Sequence, residues 1–163
     1  KRSQLIAIWK LMEAGFTFWR TAKQNESSAQ IELLLTETKK TVSKYVTIVG
    51  KLPSKSVYIT KDAQTFPSSY NTDNHVYEPS KIAERFFEKR LSGELNRSFQ
   101  EWLDFMSVVN TTIKVTKMQN ADLRPLKGGL LNYIQTGITE LFDQNSKQFV
   151  HVEDIIKKNP HLA

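Results

Sequence analysis

The chain has no cysteine among its 163 residues. Disulfides, thiolate zinc sites and a thiol nucleophile are excluded at once. A disulfide-stapled secreted scaffold is disfavoured by the same lack, so a reducing compartment is expected: the cytoplasm, the nucleus or the inside of a viral particle. Long apolar runs are missing too. No stretch reaches the roughly 18 residues that a membrane-spanning helix needs. The opening KRSQLIAIWKLMEAGF has a leader-like basic start, but Lys10 and Glu13 interrupt its apolar part and no small-residue cleavage site follows. It reads as an amphipathic helix. The first residue is not Met, so a fragment or a processed product is expected.

Histidine is scarce: His75, His151 and His161. None stands at the Glu-x-x-His or HExxH spacing that puts metal ligands on one helix face. The glycine pair Gly128–Gly129 follows Lys127, whereas a phosphate loop needs its lysine after the glycines and a strand before them. The pair reads as a hinge. Nucleophile elbows and dinucleotide fingerprints are also missing. Glu101 and Asp104 share a helix face with Arg97 one turn earlier, a pattern of exposed charges pairing at helical spacing. Sequons at Asn25, Asn96 and Asn110 read as chance, two of them falling inside expected helices. No catalytic residue, metal ligand or cofactor is expected, and no enzyme.

What the chain does have is helical rhythm. Leu5, Ile8, Trp9, Met12, Phe16 and Trp19 recur every three or four residues over 3–23, and Ile6, Leu11 and Phe18 widen that arc. Gly15 marks a point where this helix could bend. Ile31, Leu35, Thr38, Val42, Tyr45 and Val49 form a second seam, stopped by Gly50 and Pro53. Pro79 opens a third helix carrying Ile82, Phe86, Phe87 and Leu91, with a break at Ser92–Gly93. Leu95, Phe99, Trp102, Met106, Val109 and Ile113 make a fourth seam. Leu131, Ile134, Ile138, Leu141 and Phe142 make a fifth, and VEDIIKK a short last helix. Residues 51–78 break the rhythm. Apart from SVYIT, a short strand candidate, they read as one long loop. The expected fold is therefore all-α: one domain over 1–163, a helical bundle of four to five main helices with a long crossover at about 51–78. Its core should gather Leu35, Val42, Phe99, Trp102, Met106, Ile134 and Ile138.

The net charge is +6. Residues 1–53 hold nine bases and four acids, and 79–127 hold nine and six, so the excess lies on expected helices. Lys81, Arg85 and Lys89, with Arg90 beside them, line one face of the third helix. Lys39, Lys40 and Lys44 cluster on the second, and Lys114 and Lys117 close the fourth. Together they could meet a phosphate backbone, although Glu37, Glu84 and Glu88 interleave as on a solvated face. Leu11, Phe16, Phe18 and Trp19 are candidates for a protein interface, because aromatic side chains are favoured in interface cores. Two functions follow. The first is a non-enzymatic interaction or assembly module, a subunit of a larger complex or a homo-oligomer. The alternative is a nucleic-acid-binding helical protein of coat, nucleocapsid or accessory type.

Overall fold

A computed structural model describes residues 1–49, 57–126 and 128–163. In chain order the elements are α1 (Arg2–Gln24), α2 (Ser28–Val49), β1 (Tyr58–Thr60), α3 (Lys61–Thr65), β2 (Asn71–His75), α4 (Pro79–Ser92), α5 (Phe99–Val109), β3 (Thr112–Thr116), α6 (Lys117–Leu123), α7 (Leu130–Gln135), β4 (Glu140–Asp143), β5 (Gln148–His151) and α8 (Val152–Lys158). Single 3-10 turns cover Ser68–Tyr70 and Pro160–Leu162. Gly50, Pro53 and Lys127 lie outside the described residues.

The all-α helical bundle is thus corrected to a mixed α/β structure. A five-stranded sheet runs in the order β2-β3-β1-β4-β5. The fourth seam ends at Val109, and Ile113, its last step, belongs to β3. The run TTIKVT is rich in β-branched residues, which favour a pleated strand over a helix. The fifth seam is cut by Gly137 at φ 86°, so Leu141 and Phe142 sit in β4. The long crossover is no loop from Tyr58 onward: it holds β1, α3 and β2. The short strand expected in SVYIT is present as β1.

The chain divides into two compact units, one of residues 1–53 and 78–106, the other of 54–77 and 107–163. The first is helical in its described part. In it α1 packs most extensively on α2, and α2 on α4. Pro79 opens α4 and Gly93, at φ 80°, closes it in the left-handed conformation. Met12, Phe16, Val42, Phe87, Trp102 and Met106 are buried. Leu35 and Phe99 are half-buried, whereas Ile134 and Ile138 belong to the second unit. Gly15 is no bend, since α1 runs through it. A Cβ there would stand 3.0 Å from Thr38 Oγ1 and 3.4 Å from Phe87 Cζ, so the glycine allows close approach of three helices.

The second unit is built on the sheet. β1 and β3 are parallel, with Tyr58 opposite Ile113; the other pairings are antiparallel. Both parallel strands end in a threonine that turns the chain directly into a helix. Thr60 Oγ1 accepts from Ala63 N, and Thr116 Oγ1 from Gln119 N. Gln119 ties the two turns together: its Oε1 accepts from Thr60 Oγ1 at 2.8 Å and its Nε2 donates to Asp62 at 3.0 Å. Ile113, Val115, Leu141, Tyr133 and Val152 fill the core.

Gly128 and Gly129 are no free hinge. Gly129 holds φ 94°, and its N–H donates to the Val76 carbonyl at 2.8 Å. A Cβ on it would lie 2.5 Å from the Ala163 carbonyl oxygen and 2.6 Å from Tyr77 Oη. Gly129→Ala should therefore destabilise the second unit by about 1–3 kcal/mol through backbone strain. Thermal unfolding followed by near-UV circular dichroism checks this; an unchanged midpoint would show that the turn relaxes freely.

Candidate functional site

α1 carries two apolar stripes. Leu5, Ile8, Met12, Phe16 and Trp19 face the helical unit and are buried. Phe16 and Trp19 pack on Phe87, with ring centroids 6.2 and 5.2 Å away. These two interface candidates are therefore core. Beside that stripe runs a second one, Ala7, Leu11, Ala14 and Phe18, all exposed. Leu11 is 56 % and Phe18 65 % exposed. Its steps of four, three and four are those of a helix–helix seam. From Ala7 to Phe18 it spans about 16 Å at the rise of an α-helix.

The charge along α1 is one-sided. Arg2, Lys10, Arg20 and Lys23 are exposed, and the helix has a single acid, Glu13, which is buried. Arg90 explains how Glu13 can be buried. Its Nε and Nη2 donate to the two Glu13 carboxylate oxygens at 2.9 and 3.0 Å, and its Nη1 donates to the Leu95 carbonyl. The guanidinium also lies over the Phe16 ring, 4.8 Å from its centroid. Sequence reasoning placed Arg90 among the phosphate contacts. The signal that it was structural is Glu13 itself, an acid standing inside an apolar arc where a buried charge needs a partner.

Beside Ala14 lies a cleft of about 290 Å³ lined by Trp9, Lys10, Glu13, Ala14, Thr17 and Arg97. Glu13 is engaged by Arg90, and the Thr17 hydroxyl donates to the Glu13 carbonyl. Lys10 and Arg97 are exposed, and neither is ion-paired among the described residues. The cleft therefore presents cations and an indole to whatever enters it.

The other basic candidates are spread differently. Lys40 pairs with Glu37, Lys81 with Glu84 and Lys89 with Glu94. Arg85 is half-buried, whereas Lys39 and Lys44 are exposed on α2. Lys114, in β3, and Lys117, opening α6, belong to the second unit.

Both carboxylates of the α5 cluster make local hydrogen bonds. Glu101 accepts from the Asn96 backbone N–H at 2.9 Å and from its side-chain amide, holding the turn before α5. Asp104 accepts from Gln100 at 2.8 Å. His151 faces Glu140 at 3.6 Å on the exposed β4–β5 hairpin. No group of three potential metal ligands occurs among the described residues. Burial alone raises two tyrosine hydroxyls, Tyr45 to about 12 and Tyr133 further; both are core phenols. The three sequon asparagines lie outside helices, Asn25 just past α1 and Asn96 and Asn110 at the two ends of α5. Among the described residues no helix is long and apolar enough to cross a membrane. The chain matches no protein-family model, no curated protein and no solved structure.

Proposed function

We propose that this chain is a non-enzymatic protein-interaction module, a subunit of a larger assembly, and that it docks through the exposed seam of α1. The observation that carries this is the exposure of Leu11 and Phe18, two turns apart on a helix whose other large apolar side chains are mostly buried. Solvated apolar side chains at seam spacing are stabilised when a second helix covers them. The basic residues give the alternative, nucleic-acid binding, less support, because Lys40, Lys81, Lys89 and Arg90 already have carboxylate partners.

The test replaces Leu11 and Phe18 together with serine and compares the mass of the native assembly by light scattering. The variant should leave the assembly and run near the 18.8 kDa of the single chain. Its stability should stay within about 0.5 kcal/mol of the parent, as for exposed positions generally. An assembly of unchanged mass, or a variant that unfolds, would overturn the proposal.

A further inference from the structure

We infer that the occupant of the α1 seam is an acidic amphipathic helix of another protein, seated on Ala7, Leu11, Ala14 and Phe18 with a carboxylate in the Lys10–Arg97 cleft. This rests on the interaction reading above and adds the chemistry of the partner. Three features select it. The seam alternates small and large residues, so a facing helix can seat its own large side chains over Ala7 and Ala14 as knobs in holes. Lys10, the exposed charge of α1 that borders the seam, is positive, and the one acid of the helix, Glu13, is held by Arg90. Finally, Lys10 and Arg97 flank the seam at Ala14 without a carboxylate of their own.

The same charge pattern disfavours a second copy. Two α1 seams laid face to face set Lys10 of each copy beside a seam that offers no exposed acid in either helix, and like charges across an interface suppress pairing. An anionic bilayer is disfavoured by shape. A helix lying in a membrane surface buries a broad apolar face. Here Leu5, Ile8, Met12, Phe16 and Trp19 are committed to the core, leaving two large side chains in a narrow row. An acidic helix matches the seam in width, periodicity and sign, which is the helix-in-groove mode of recognition.

The experiment uses the full chain and three labelled 21-residue helical peptides with leucine at the seam positions. They differ only in their flanking positions, which are glutamate, glutamine or lysine. Fluorescence anisotropy should rank binding glutamate, then glutamine, then lysine, with at least tenfold between the extremes and with affinity falling as salt rises. Lys10→Glu with Arg97→Glu should invert that order, and Leu11→Ser with Phe18→Ser should abolish binding of all three. Equal binding of the peptides, or none, overturns the acidic-helix inference. If Leu11→Ser with Phe18→Ser still shrinks the native assembly in that case, the interaction module survives with a different occupant. A self-dimer of the purified chain that those substitutions dissolve would identify a second copy. Binding to phosphatidylserine vesicles, with no preference among the peptides, would identify a lipid surface. Either result overturns the inference.

Discussion

Replacing Glu13 with alanine should destabilise the helical unit by about 3–5 kcal/mol, the range for breaking a buried ion pair from one side. Only 7 % of the Glu13 side chain and 14 % of the Arg90 side chain are exposed. The pair was desolvated when the unit folded, and two charge-assisted hydrogen bonds of 2.9 and 3.0 Å offset that cost. Without the carboxylate the guanidinium stays in place, held by the Leu95 carbonyl and the Phe16 ring, with its charge uncompensated. Removing both charges is a different matter. Glu13→Leu with Arg90→Met should recover most of the loss, because a packed apolar pair is often as stable as a buried ion pair. Urea unfolding followed by tryptophan fluorescence reads this unit alone, since Trp9, Trp19 and Trp102 all lie in it. A Glu13→Ala protein as stable as the parent would mean that water reaches Arg90.

Trp102→Ala should cost a similar amount, about 3–5 kcal/mol, as large-to-small core changes do. The indole is 1 % exposed. It stacks on Phe99 at 5.8 Å, meets Tyr45 edge-on at 5.5 Å and donates its N–H to the Met12 sulfur at 3.3 Å. Alanine would leave a void ringed by α1, α2 and α5, whose backbones are fixed by other contacts and cannot collapse into it. Trp102→Phe keeps most of the ring volume and loses the weak N–H contact, so it should cost much less. Helical circular dichroism against urea checks both. Equal losses for alanine and phenylalanine would show that the sulfur contact matters more than the volume.

The helical unit was largely legible. The stripes over 3–23 and 79–91 became α1 and α4 because each repeats for several turns and is bounded by local punctuation, such as Pro79 and Gly93. The sheet was not. β2 reads NTDNH, with no apolar alternation, because it is an edge strand whose place comes from pairing with β3. Only β1 was marked, in SVYIT, and its three residues are too few to express a period or to name a partner strand. Ile113 and Leu141 happened to fall at helical steps from the residues before them, so both seams ran on through the breaks at Asn110 and Gly137.

The exposed seam was half legible for the same kind of reason. Leu11 and Phe18 stood off the main stripe of α1, and the sequence alone marked them as surplus apolar surface. That Phe16 and Trp19 turn inward depended on Phe87, more than sixty residues away. Arg90 looked like one more cation on a helix face until α4 was seen to bring it onto Glu13. The sequence by itself determined the extents of α1, α4 and α8, the basic excess, and the lack of cysteine and of catalytic motifs. These are local or compositional properties, read within a few turns of chain. The tertiary structure alone decided the sheet, the burial of Glu13 with Arg90, and which face of α1 stays open. Strand pairing and ion pairing join residues distant in sequence, as Tyr58 joins Ile113 and Asp143, and no local period records such a contact.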